Sequence, residues 1–146
     1  MNTGDRHRAR ESAFQMLYQW EVGRVTPETA AADYQTIEQE GVKPLTPASR
    51  RFAESLVAGT VAHVAQIDQL IGQHAQHWRI ERIAIVDRLI LRLAIFELLY
   101  APDTPPRVVI DEAIELARSF SEEDAVRFVN GVLDAVRAQG EADVTV

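Results

Sequence analysis

Apolar residues recur along this chain at helical rather than alternating spacing, and proline, glycine and hydroxyl residues punctuate them into separate segments. The first segment, about Asp5 to Val22, carries Ala9, Ala13, Met16, Leu17 and Trp20 on one face, with Gly23 placed to cap its end. Thr26-Pro27-Glu28 opens a second, to about Glu40, because an N-cap hydroxyl followed by proline in the first turn is a helix start. Its weak face of Ala31, Tyr34 and Ile37 puts it on the outside, and Gly41 ends it. Thr46-Pro47 repeats the start signal ahead of Phe52, Leu56, Val57, Val61, Val64, Ile67, Leu70 and Ile71, a run that suits one bent helix or two.

Ile83 to Leu99 is apolar around most of its circumference, as a helix surrounded by others must be. It is the expected central helix. Pro102, Pro105 and Pro106 then break the chain, and Ile110, Ala113, Ile114 and Ala117 form an i, i+3, i+4, i+7 stripe. Ser121, with Asp124 three residues on, reads as a capping box for a last helix whose inward face is Ala125, Phe128, Val129, Val132, Leu133 and Val136. Gly131 inside that helix costs about 1 kcal/mol relative to alanine, which points to close helix packing there, with Asn130 bonding to a backbone. A polar tail, 140–146, is expected to be loose. With hardly any strand signal, no internal repeat and no dividing linker, the chain is expected to be one all-α domain, 1–146.

Composition changes this picture little: 47% hydrophobic and 25% charged residues are ordinary for a globular protein. The absence of cysteine rules out a disulfide framework, a thiolate metal site and a cysteine nucleophile. The charged N-terminal stretch lacks the apolar core of a signal peptide. Asp87, Arg88, Arg92 and Glu97 interrupt the longest apolar region, so no membrane span is expected and the cytoplasm is the expected location. Neither GxGxxG nor GxxxxGK[ST] occurs. Only His74 and His77 have the i, i+3 spacing of a ligand pair on one helix face; with no cysteine and no HExxH, no metal site is expected. Most acidic residues fall on outer faces, and Glu122, Glu123 and Asp124 suit a first turn, where carboxylates favour the helix dipole. No catalytic constellation stands out, so neither an enzyme nor a cofactor is expected.

Charge does add something. The formal net charge is -7, yet the first ten residues place Arg6, Arg8 and Arg10, with His7, against Asp5 alone, leaving 12 basic and 21 acidic residues in the remainder. An acidic body excludes coat-like binding of nucleic acid but permits a small basic patch. Cations at a helix N-terminus are disfavoured by roughly 0.3–1 kcal/mol each, so this basic turn, 5–10, works against local stability. At 100° per residue Arg6 and Arg10 project close to the apolar face, while Arg8 points roughly opposite. A guanidinium on that azimuth needs a partner, so the first turns are expected to overhang the bundle as a shelf suited to phosphate, or else to be a frayed terminus with a local Arg8–Glu11 pair.

Three motifs in order sharpen the choice: RxRARExAxQxLYxWE at 6–21, VDRLILRLAIFELL at 86–99, and IDEAIELARSF with FVNGVL within 110–133. Together, from Arg6 to Val136, they resemble the NusB family of transcription antitermination factors. The resemblance implies an all-α fold of about seven helices, in two small packed bundles forming a single domain around the central apolar helix. It also implies a partner, NusE, the small-subunit ribosomal protein, with which the family binds boxA elements of nascent ribosomal RNA within an RNA polymerase antitermination complex that includes other Nus factors. No covalent chemistry is implied.

By position, the resemblance implies an RNA-facing set of Arg6, His7, Arg8, Arg10, Arg92, Phe120, Asp124, Arg127 and Phe128, and a NusE-facing pair, Tyr18 and Asp87. His7 departs from the arginine frequent in relatives. Taken without the resemblance, Phe120 and Phe128 read as core, Asp124 as a capping residue, Tyr18 as a half-buried aromatic and Asp87 as the partner of a nearby arginine. Arg92 either extends the basic shelf or satisfies a buried acid such as Glu97 or Glu115. Alternative functions are an interaction or homodimerisation module, the free chain being a monomer or homodimer, and an RNA-guiding domain like those of RNA cytosine methyltransferases. No S-adenosylmethionine-binding segment is found in these 146 residues.

Overall fold

The computed structural model describes residues 2–39, 43–75, 79–101 and 103–144. These form helices α1 (Thr3–Gly23), α2 (Pro27–Gln39), α3 (Pro47–Ala62), α4 (Val64–His74), α5 (Ile85–Tyr100), α6 (Pro106–Phe120) and α7 (Glu123–Val144), with a 3₁₀ turn at Ile80–Arg82 and no strand among the described residues. The expected all-α class is what the chain adopts. The helices fall into two compact units, Met1–Ala62 and His63–Val146. Gly41, His77 and Pro102, and the side chain of Ile37, lie outside the described residues.

In the first unit α1 packs on α2 and α3. Ala9, Ala13, Met16 and Leu17 are buried as their spacing predicts, together with Ala53, Leu56 and Val57 of α3. Ala30 rather than Ala31 accompanies Tyr34 inward from α2, and the Tyr34 and Ser12 hydroxyls pair at 2.8 Å in the interior. Both Thr-Pro starts are caps: the Thr26 and Thr46 side-chain oxygens each accept from the backbone three residues on, at 3.1 Å. The start of α1 is earlier than expected. Asn2 is its N-cap, accepting from the Asp5 N–H at 2.8 Å while Asp5 accepts from the Asn2 N–H, a reciprocal capping box. At the other end Arg24, not Gly23, takes the left-handed cap conformation, with φ 56°.

The second unit is built round α5, against which α4, α6 and α7 pack. Every residue from Leu89 to Glu97 is buried, which is why this helix is apolar around most of its circumference, Arg92 and Glu97 being its buried charged residues. Ile67 and Ile71 of α4, Val109, Ile110, Ala113, Leu116 and Ala117 of α6, and Val129, Val132, Leu133 and Val136 of α7 complete the core. The long run after Pro47 is two helices rather than one, since His63 leaves helical geometry at φ -111° and ψ 16°. Three expectations fail in α7. Ser121 is the C-cap of α6 rather than the N-cap of α7, because its hydroxyl is taken by Asp87 at 2.5 Å. Gly131 is exposed, with nothing within 4 Å of where a Cβ would stand, so close packing does not explain it. The tail is helical to Val144, since a single glycine at 140 costs too little to stop a helix already propagating.

Candidate nucleic-acid interface

The basic segment is neither frayed nor overhanging. The capping box at Asn2 and Asp5 offsets part of the unfavourable charge by placing an acid in the first turn, and each basic residue then has a fixed contact within the first unit. Arg6 and Arg10 both stand over the ring of Phe52 on α3, their guanidinium carbons 5.0 and 5.3 Å from its centroid. Arg8 reaches the other way, donating to the Lys43 carbonyl in the stretch before α3. The expected Arg8–Glu11 pair is replaced by His7, whose Nε2 lies 2.7 Å from a Glu11 carboxylate oxygen, one turn along.

Burial divides the segment. Arg6, His7 and Arg8 are half-buried and keep solvent-facing surface. Arg10 is only 3% exposed, so its charge lies behind the others. The overhang inferred from its azimuth is therefore corrected: Arg10 lies at the edge of the core, with the aromatic face of Phe52 among its contacts.

In the second unit, the start of α5, the end of α6 and the start of α7 enclose an open cleft of about 680 Å³. Phe120 and Phe128 both line it and are half-buried, so neither is the core residue its helical position suggested. Arg82, Asp87, Ser121, Glu122 and Asp124 supply the polar wall. Asp124 is exposed in the first turn of α7. Asp87 accepts from the Ser121 hydroxyl rather than from an arginine. Arg127 is exposed on α7, outside the cleft lining. Acid predominates here, so the cleft suits bases or a protein side chain better than phosphate.

Arg92 is only 6% exposed. Its Nε and Nη2 donate to the two carboxylate oxygens of Asp68 on α4, both at 2.8 Å, a bidentate pair that spacing along the chain did not suggest. Glu115 instead pairs with Arg118 at 2.6 Å. Arg92 thus ties α4 to α5. On α1, Tyr18 is 37% exposed and Val22 half-exposed one turn on, an apolar surface open to a partner. His74 bonds Gln139 at 2.5 Å, and no cluster of three metal-ligating side chains occurs among the described residues. No described helix is long and apolar enough to cross a membrane.

Two helical units, one with an ordered arginine-bearing helix start and one with an aromatic cleft, define an all-α protein whose distinctive features are surfaces for binding. The model of the NusB family matches residues 7–138, and the chain belongs to that family. The transcription antitermination protein NusB of Solibacter usitatus is 48% identical over 135 residues, covering 92% of this chain and 89% of its own. Among solved structures, NusB of T. maritima superposes with a TM-score of 0.78 at 34% identity, covering 91% of this chain and 90% of that one. A NusB solved with NusE and double-stranded RNA gives a TM-score of 0.82 at 29% identity, covering 94% and 99%.

Proposed function

We propose that this chain acts as a transcription antitermination factor, one RNA-binding domain that engages boxA-type single-stranded RNA together with NusE in the cytoplasm, without covalent chemistry. The observation that carries this is the state of the basic helix start. Arg6 and Arg8 are held on a capped helix with part of their surface open, and a planar guanidinium donates in pairs to phosphate oxygens. The same arrangement is costly at a helix N-terminus, which a phosphate ligand would offset. A relative of similar fold solved with NusE and double-stranded RNA supports NusE and RNA as the classes of partner.

In this proposal Arg6 and Arg8, with His7, take phosphates, and Arg10 adds charge from behind. Phe120 and Phe128 offer ring faces to unpaired bases at the cleft, with Arg127 and Asp124 beside them on α7, since stacking on an aromatic is how single strands are read. Tyr18 and Asp87 face NusE. Arg92 is left out of the RNA contacts, because Asp68 already takes its bidentate edge.

Fluorescence anisotropy of a boxA oligonucleotide, titrated with the protein with and without NusE over a salt series, tests this. Replacing Arg6 and Arg8 together by alanine is expected to weaken binding and to flatten the salt dependence by about 0.7 for each phosphate no longer neutralised. Unchanged affinity and slope would refute the assignment. Tyr18→Ala is expected to weaken NusE binding with the helical signal intact.

A further inference from the structure

The aromatic cleft of the second unit poses a problem of charge. Its lining carries three carboxylates, Asp87, Glu122 and Asp124, against one arginine, Arg82, so a strand entering it brings phosphates toward like charge. The dipole of α7 accounts for acid in its first turn, but Glu123 already serves it from outside the cleft lining. A carboxylate on the wall of an aromatic cleft has another use, which is to accept hydrogen bonds from a ligand.

Asp124 and Phe128 stand four residues apart on α7, so they share a face one turn apart, and both line the cleft. Helical side chains lean toward the helix N-terminus, which tilts the Phe128 ring toward Asp124. A base stacked on that ring therefore turns an edge to the Asp124 carboxylate, which is exposed and open to a ligand. The other two acids are placed differently. Asp87 already accepts from the Ser121 hydroxyl at 2.5 Å, and Glu122 precedes the helix on which Phe128 stands. We propose that Asp124 makes the cleft selective for guanine, by accepting from the N1–H and N2–H groups of a base stacked on Phe128. The proposal rests on the base-stacking role given above to the cleft.

Nucleobase chemistry singles out guanine. A carboxylate only accepts, and through two oxygens side by side. Guanine is the RNA base whose Watson–Crick edge sets two N–H donors side by side, which the oxygens match as they match a guanidinium fork. Cytosine and adenine each set an amino donor beside an acceptor nitrogen, and uracil flanks its N3–H with two carbonyls, so each turns a lone pair toward one carboxylate oxygen. Pairing consumes these edges in a duplex, whereas a single strand exposes them. Acid in the cleft thus lowers affinity for RNA in general and discriminates in favour of one base.

The test uses uridine decamers with one central guanosine, inosine, adenosine or cytidine, each titrated with the protein by fluorescence anisotropy at low salt. Inosine keeps N1–H but lacks the 2-amino group, so it removes one of the two bonds without altering the protein. The guanosine strand is expected to bind about three- to tenfold tighter than the inosine strand and about five- to thirtyfold tighter than the other two, the lower half of the range for a bidentate base contact because Asp124 is exposed. Asp124→Asn should bring the guanosine and inosine strands within about twofold of each other, and Asp124→Glu should keep guanosine ahead. Removing a negative charge raises affinity for every strand, so the ratio is the readout.

Equal binding of the guanosine and inosine strands, tighter binding of the adenosine or cytidine strand, or a guanosine preference that survives in Asp124→Asn overturns the proposal. Phe128→Leu, checked for helicity by circular dichroism, separates it from the reading beneath. If that variant weakens every strand while guanosine holds no advantage in the unsubstituted protein, stacking in the cleft stands and guanine selection falls. If no strand responds to Phe128→Leu, or none binds, the base-stacking role of the cleft fails, and the proposal with it.

Discussion

Replacing Asp68 by alanine should destabilise the second unit far more than a surface change does, and leave RNA affinity alone. The pair it breaks is bidentate, with both Arg92 donors at 2.8 Å from the Asp68 oxygens. The Arg92 side chain is 7% exposed and that of Asp68 28%. Breaking a fully buried pair by removing one partner costs about 3–5 kcal/mol, chiefly because the charge left behind is desolvated. Since the carboxylate end is partly in water, the lower end applies, about 3 kcal/mol. That is about a fifth to three-fifths of a typical domain's total stability and lowers Tm by roughly 10 °C. Arg92→Met should cost less than Asp68→Ala, because the Asp68 carboxylate, 28% exposed, can be rehydrated more readily than the Arg92 guanidinium, 7% exposed. Urea unfolding of the two single variants and the double variant measures the coupling directly. Measured at a temperature where each variant is folded, boxA affinity should match that of the unsubstituted protein. A destabilisation under about 0.5 kcal/mol for Asp68→Ala, the size of an ordinary surface change, would refute the structural tie. An Arg92→Met variant of full stability but weak RNA binding would return Arg92 to the interface.

Other substitutions probe separate elements. Gly131→Ala should stabilise α7 by up to about 1 kcal/mol in urea unfolding, because the position is exposed and its Cβ would meet nothing; destabilisation would show a hidden packing demand. Arg24→Gly should add about 1 kcal/mol by relieving a non-glycine residue at positive φ, seen as a higher Tm. Thr46→Ala should cost about 1 kcal/mol by removing the cap of α3, and Thr46→Ser should recover most of it. Phe128→Leu should weaken boxA affinity by about 1–3 kcal/mol, the value of one stacked base, with little change in salt slope because every phosphate remains neutralised.

Local signals were legible along the chain. Thr26 and Thr46 cap the helices that follow them because a cap acts over three residues, and the spacing of Ala9, Ala13, Met16 and Leu17 encodes one buried face. Long-range partners were not legible. Nothing in the neighbourhood of Arg92 marks Asp68, which lies 24 residues earlier on another helix, and nothing near Arg10 marks Phe52. Charge made the arginines conspicuous; the ring that receives two of them looks like any core phenylalanine. Ser121 misled because a hydroxyl can satisfy either a local backbone group or a distant carboxylate, and Asp87 took it. Gly131 misled because a glycine tolerated in a well-packed helix looks the same in sequence as one that packing requires.

The contacts described for the arginine segment, to Glu11, Lys43 and Phe52, all fall within the first compact unit, Met1–Ala62. Synthesis runs from the N-terminus, so every residue in those contacts has been joined to the chain before the second unit has begun. At about 5–20 residues per second, the remaining residues take roughly ten seconds to add. The arginine-bearing edge can thus take its final form ahead of the aromatic cleft, which only the last third of the chain completes.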